Sequence, residues 1–197
     1  INEQLFIFYY PFSFFYKIVL DLFDSFFLKI GKPENKWRFL KRIIYYPVNK
    51  IVVTDENRRK LMPDFAQYKT SVIENFPYLL EDKCVKDDSS IVICYIGSLQ
   101  SARGTDFLVK LFSKYNDIKV IMAGWINDSK TKELLNYKNV EYLGVLKQEE
   151  ITKIISKKAH YILCLYEPSN TNNINASPNK IYDAIQTNSE VIINSEI

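Results

Sequence analysis

Short, continuously apolar runs alternate with amphipathic stretches through the second half of this sequence, and that rhythm limits the fold more than any other feature. Ile91–Ile96 (Ile-Val-Ile-Cys-Tyr-Ile) is apolar at every position, the pattern of a parallel strand covered on both faces, and it ends at Gly97. Phe107, Leu108, Leu111, Phe112 and Tyr115 then recur with helical spacing. Lys119–Ala123 reads as a second strand ending at Gly124, and Val140–Leu143 as a third ending at Gly144. A helix marked by Ile151, Ile154 and Ile155 follows, then a strand at Ala159–Leu165, a helix at Pro178–Thr187 and a last strand at Val191–Ile193. Strand–helix alternation at this spacing implies βαβ units and a doubly wound parallel sheet. Ligands of such sheets bind at the carboxyl ends of the strands, where the loops gather. Four of the five glycines (Gly97, Gly104, Gly124 and Gly144) fall in this region, so the backbone there either turns tightly or closely approaches a ligand. Ordinary turn chemistry is the competing explanation.

The first third is a different unit. Leu5–Tyr10 and Lys17–Leu22 are expected as strands split by a turn at Pro11, Lys36–Tyr46 as a helix carrying Trp37, and Lys50–Val53 as a strand. Glu56–Met62 reads as a short helix, Ser71–Glu74 as a strand, and the polar stretch 76–90 as a linker. The aromatic segment Leu5–Ile30 is not expected to span a membrane, since it holds Lys17, Asp21, Asp24, Lys29 and Pro11 where about 20 predominantly apolar residues are needed. It also lacks the charged start and cleavage site of a signal peptide. The 197 residues begin at Ile1 and stop at Ile197, beside the apolar run Val191–Ile193, so we expect a piece of something longer.

Composition narrows the chemistry. Apolar residues make up 47%, charged residues 25%, and the net charge is +3, which excludes disordered and fibrous classes. Cys84, Cys94 and Cys164 show no metal-ligand spacing, and the last two lie in apolar runs as buried free thiols do. A reducing, cytoplasmic setting follows. His160, the one histidine, falls in a predicted buried strand, so a histidine base, a catalytic triad or a two-histidine zinc site has no support. No metal site is expected. Lys36 to Lys60 holds eight Lys or Arg against Asp55 and Glu56, interleaved with Trp37, Phe39, Tyr45 and Tyr46. Such a stretch suits the surface of an anionic membrane, and equally a helix packed on its own sheet with a solvated basic side. Nucleic acid is not expected, because no recognition motif accompanies the modest pI of 8.6.

Two segments carry candidate chemistry. In Asn175-Ala-Ser-Pro-Asn-Lys-Ile-Tyr-Asp183, Ser177 followed by Pro178 suits a helix N-cap and first turn. Ile181, Ala184 and Ile185 would form the buried stripe, leaving Asn179, Lys180 and Asp183 on the polar side. The helix would start at the carboxyl edge of the sheet with its amides and Lys180 offered to an anion. A capped surface helix with a solvated polar face is the competing reading. In Gly97-Ser-Leu-Gln-Ser-Ala-Arg-Gly104, neither a dinucleotide fingerprint nor a phosphate loop is present, but Arg103 at the helix start could fork onto a diphosphate.

These segments, in this order, resemble the retaining glycosyltransferases of family 4. The resemblance rests on the strand, Gly97 and Arg103-Gly104; on Val120-Ile-Met-Ala-Gly124 followed by Asn139-Val-Glu-Tyr-Leu-Gly144-Val145; on Ser177-Pro-Asn-Lys-Ile-Tyr-Asp-Ala184, close to a form of the family's E-x7-E motif; and on Val72-Ile-Glu-Asn75-Phe-Pro77 at the crossing between domains. It spans about residues 17–197. Asn175, eight before Asp183, stands where many members place a Glu that contacts the sugar. Ser98 stands where an arginine often sits, and Asn188 replaces a usual glycine. The resemblance implies the GT-B fold, two Rossmann-like doubly wound domains, both truncated here: 1–78 from the acceptor-side domain, 79–90 as linker and 91–197 from the donor domain.

It also implies the function. The donor would be a UDP- or GDP-sugar, with no cofactor and no metal, and transfer would retain configuration. Arg103 and Lys180 would face the diphosphate as the catalytic cations, together with amides after Ser177 and at Asn179. Asp183 would take the ribose hydroxyls, and Gly97, Gly144 and Val145 would line the donor, the latter two at the base. The acceptor would be a glycan or lipid-linked glycan in surface polysaccharide synthesis, at the inner face of the membrane. Two alternatives stand beside this: an inactive truncated relative serving as a nucleotide-binding or interaction module, and a sugar-nucleotide epimerase, against which the single histidine argues.

Overall fold

A computed structural model gives the structure of the protein; it describes residues 3–23, 25, 38–77, 86, 90–169, 171–176 and 178–194. The chain divides into two compact units, Ile1–Asn75 with Pro168–Ser177, and Phe76–Glu167 with Pro178–Ile197. The segment Pro168–Ser177 thus groups with the first unit, although both of its flanks in sequence belong to the second.

In the first unit, β1 (Val19–Leu22), β2 (Lys50–Val53) and β3 (Thr70–Val72) form a parallel sheet in that order. Leu20, Leu22, Ile51 and Val53 alternate with exposed or half-buried neighbours and meet Phe6, Ile44, Tyr45, Met62 and Ala66 in one core. The helices are α1 (Glu3–Tyr9), α2 (Arg38–Tyr45), α3 (Glu56–Lys60) and α4 (Asp64–Gln67).

The strand expected at Leu5–Tyr10 is therefore a helix, α1, continued by a 3-10 turn over Tyr10–Phe14 with Pro11 in its first turn. Burial there follows helical rather than alternating spacing: Glu3 and Phe6 point inward, while Leu5, Ile7 and Phe8 are exposed. Edge-on ring pairs four residues apart, Phe6–Tyr10 and Tyr10–Phe14, both with centroids 5.9 Å apart, favour the helix. The Glu3 carboxylate is buried and accepts hydrogen bonds from the Ser25 and Tyr45 hydroxyls, which fixes the start of α1. Burial, and secondarily that carboxylate, raises the pKa of Tyr45.

The second unit holds a five-stranded parallel sheet: β4 (Val92–Leu99), β5 (Lys119–Ile126), β6 (Val140–Tyr142), β7 (Tyr161–Cys164) and β8 (Glu190–Ile193). Their spatial order is β6-β5-β4-β7-β8. The chain winds outward from β4 to β6, returns to the other side of β4 at β7 and continues to β8. Between the strands lie α5 (Thr105–Phe112), α6 (Ser129–Glu133), α7 (Gln148–Lys158) and α9 (Asn179–Thr187); α8 (Thr171–Ile174) belongs to the first unit.

The apolar run 91–96 serves two cores at once. Ile93, Tyr95 and Leu99 pack with Leu108, Phe112 and Leu163 on one face; Cys94 and Ile96 pack with Ile151, Ile155 and Ala184 on the other. That is the period of two in a sheet covered on both sides. Burial raises the pKa of the Cys94 thiol to about 12 and also that of Cys164, so neither is a thiolate near neutral pH; Cys84 lies outside the described residues.

Three features differ from expectation. β4 and β5 do not stop at Gly97 and Gly124 but run on through Ser98↔Trp125 and Leu99↔Ile126. His160 is half-buried just before β7, where its Nδ1 accepts the Val92 N–H at 3.1 Å. Within the basic stretch, Lys41 and Arg58 are buried rather than solvated, while Lys36 and Trp37 lie outside the described residues. Among the described residues no helix is long and apolar enough to cross a membrane.

Candidate functional site

The sheet order of the second unit reverses between β4 and β7, and loops leaving their carboxyl ends diverge to opposite faces there. Three residues the sequence analysis singled out occupy this place. The loop after β4 carries Arg103. Its shape is set from within the core: the buried Tyr95 hydroxyl accepts the Gln100 N–H at 2.7 Å and donates to the Gln100 carbonyl at 2.8 Å. Asp128 caps α6 by accepting the Thr131 N–H and also accepts the Ser101 N–H, each at 2.7 Å. Burial opposes ionisation of Asp128, but these donors outweigh it and lower its pKa. The loop closes at Gly104, φ 129°, where any Cβ would strike the Leu163 side chain of β7. The Arg103 guanidinium, thus delivered, lies 4.7 Å from the Tyr166 ring centre, a cation–π contact.

Tyr166 follows β7 and is held on both sides of its peptide by one side chain. Its N–H donates to Asn194 Oδ1 at 3.1 Å, and its carbonyl accepts from Asn194 Nδ2 at 3.0 Å. The next residue, Glu167, donates its N–H to the Ala102 carbonyl at 3.1 Å, which ties this loop to the one bearing Arg103.

Lys180 comes from α9. Its Nζ donates to the Leu163 carbonyl at 3.1 Å and lies 6.0 Å from the Tyr95 ring centre. Burial lowers the pKa of Lys180 from 10.5 to about 8; Cys164 and Asp183 oppose the shift and Arg103 adds to it. The two cations therefore share one electrostatic neighbourhood in a partly desolvated place. Fixed cations there act on a developing negative charge far more strongly than solvated ones would.

α9 presents itself differently from the expected helix. Ile185 is 73% exposed, whereas Asp183 is 2% exposed and buried beside Ala184 and Thr187. The inward stripe is thus Lys180, Asp183, Ala184 and Thr187 (i, i+3, i+4, i+7) rather than Ile181, Ala184 and Ile185, and of the three residues expected on the opposite, polar side only Asn179 is exposed. Gln148 Nε2, from α7, donates to Asp183 Oδ1 at 3.0 Å. Burial raises the Asp183 pKa, and Gln148, Gln186 and Lys180 counter it in part.

The remaining candidates are dispersed. Gly97 and Gly124 are register partners, and the Gly124 N–H donates to the Gly144 carbonyl at 2.8 Å, so the three line up across β4, β5 and the loop after β6. Val145 beside them is exposed. Asn179 is exposed at the start of α9; Pro178, not Ser177, is the residue at its N-cap, and Ser177 lies outside the described residues. Asn175 belongs to the first unit, where its carbonyl accepts from Arg58 Nε at 3.1 Å. Arg58 also donates to the Phe23 carbonyl and pairs with Asp55 at 3.4 Å. Sequence reasoning passed over Tyr166, Asn194 and Gln148. The first two have a signal, since each closely follows an apolar strand run; Gln148 has none, because its partner lies 35 residues away.

No family model and no curated protein matches the chain. Among solved structures it resembles the Anabaena protein HepE in complex with UDP-glucose, at 14% identity and a TM-score of 0.65, over 97% of this chain and 57% of HepE. It likewise resembles HepE in complex with UDP and glucose, at 12% identity and a TM-score of 0.67, over 97% of this chain and 56% of that one. TarM aligns at 13% identity and a TM-score of 0.53, over 90% of this chain and 36% of TarM. The chain therefore spans a little over half the length of HepE. At such identities the likeness concerns the fold: the two parallel α/β units are Rossmann-like and of GT-B type.

Proposed function

We propose that this chain carries the donor site of a glycosyltransferase that uses a UDP- or GDP-sugar. The observation that supports it most is the meeting of Arg103 and Lys180 at the carboxyl ends of β4 and β7, where the strand order reverses. In this reading both cations contact the diphosphate. When the bond from the sugar to the diphosphate breaks, negative charge collects on the leaving oxygen. A partly desolvated Lys180 and a guanidinium held against Tyr166 stabilise it without reorganising. Asp183 accepts the ribose hydroxyls, and backbone groups near Gly144 and Val145 meet the base. The chemistry uses side-chain cations and helix amides in place of a metal, and the sugar retains its configuration. The HepE complexes with UDP-glucose and with UDP and glucose support UDP among the donors. The acceptor is a glycan or lipid-linked glycan made at the inner face of the membrane. The basic, aromatic region around α2 would rest on anionic lipid there, with Phe39 and Tyr46 exposed.

Isothermal titration with UDP and GDP tests the reading. One of the two should bind, and Asp183→Ala should weaken it by about five- to a hundred-fold, the loss of one or two hydrogen bonds to a charged group. Binding of neither nucleotide, or full affinity in a folded Asp183→Ala protein, would sink it.

A further inference from the structure

We infer that Gln148 is a positioning residue: its side-chain amide, at the first position of α7, holds the Asp183 carboxylate in the orientation that receives the ribose hydroxyls. The inference rests on the donor-site reading above, which assigns Asp183 but no partner for it.

Asp183 is almost fully buried, so its orientation is set by protein groups rather than water. Among the described residues, Gln148 Nε2 at 3.0 Å is the one side-chain donor within hydrogen-bond geometry of the carboxylate, and it engages Oδ1. Gln186, one turn further along α9, lies close enough to lower the carboxyl pKa, yet its buried amide makes no hydrogen bond of normal geometry. Lys180 acts on the carboxylate through its charge while its Nζ donates to the Leu163 carbonyl. Orientation therefore falls to Gln148. Its own amide is steadied by Thr152, whose Oγ1 lies 3.5 Å from Nε2 and donates to the Gln148 carbonyl at 2.7 Å. With Oδ1 fixed from α7, Oδ2 is the oxygen that remains to accept from a ligand. A diol needs its acceptor held at one angle, and a carboxylate free to rotate about its last bond would forfeit much of that selectivity.

Gln148 is exposed, so its replacement leaves the core intact. The test compares the dissociation constants of UDP and 2′,3′-dideoxy-UDP, and of GDP and its dideoxy form, for the wild type, Gln148→Met, Gln148→Glu and Asp183→Ala. The ratio of dideoxy to parent nucleotide isolates the ribose contact, and general loosening of α7 or α9 would weaken both ligands alike. Gln148→Met keeps the length and removes the donor; its ratio should fall by about five-fold, one hydrogen bond's worth. Gln148→Glu faces one carboxylate with another and should lose at least as much. Wild-type ratios in both Gln148 variants, alongside a collapsed ratio in Asp183→Ala, would overturn the inference and leave the donor-site reading standing. An unchanged ratio in Asp183→Ala, or no nucleotide binding by the wild type, would overturn both.

Discussion

Lys180→Met preserves the length of the side chain and removes its charge. In the folded protein this ammonium titrates near 8, against 10.5 ordinarily, so between those values the unfolded chain holds the proton more tightly. The sign follows: the energetic cost of the buried cation is fully present below pH 8 and fades as pH rises toward 10.5. At about 1.4 kcal/mol per unit the depression corresponds to about 3 kcal/mol. Against this, methionine forfeits the ammonium's hydrogen bond to the Leu163 carbonyl, about 2 kcal/mol for a charged donor. The variant should thus be more stable than the wild type by about 1 kcal/mol at neutral pH. That advantage should shrink and reverse near pH 9, as the wild-type lysine loses its proton. Urea unfolding followed by circular dichroism at both pH values gives the difference directly, and titrating groups other than Asp183 and Cys164, which feel the Lys180 charge, cancel between the two proteins. The same substitution should weaken nucleoside diphosphate binding at least ten-fold, since a charge-assisted contact is lost. A variant less stable than wild type at neutral pH, or a stability difference that ignores pH, would refute the argument that Lys180 is held desolvated for an anion.

Two backbone predictions follow from the glycine line and the helix end. Gly124→Ala places a Cβ at φ 139° onto the Gly97 carbonyl, which as paired backbone cannot yield, and should cost about 3 kcal/mol or more. Gly97→Ala, at φ 91° with nothing within 4 Å, should cost only the conformational part, about 1–2 kcal/mol; equal costs in thermal unfolding would refute the distinction. Asn188 ends α9 at φ 52° with its N–H on the Ala184 carbonyl, so Asn188→Ala should destabilise by about 1 kcal/mol while Asn188→Gly stays near neutral. A destabilised glycine variant would show that the asparagine side chain, not the backbone conformation, matters there.

Sequence periodicity by itself determined the second unit. A strand buried on both faces is apolar along its covered length, so the apolar runs within 91–96, 119–123 and 159–165 are legible without any contact information. The helices α5 and α7 follow from their 3.6-residue stripes, and the parallel sheet from the alternation; α6, a short polar helix with no apolar stripe, was not legible. Arg103, Lys180 and Asp183 could be chosen because ligand sites of such sheets gather at the strand ends. The first segment misled because aromatic residues suit strands and helices alike; ring pairs four residues apart and a buried Glu3 decided for the helix. The inward face of α9 misled for a related reason. Apolar Ile181 and Ile185 suggest the buried stripe, yet tertiary structure leaves Ile185 exposed and turns Lys180 and Asp183 inward, where Leu163 and Gln148 satisfy them. A polar residue can face inward only if a partner waits there, and partners 17 and 35 residues away are set by packing, which no local pattern encodes.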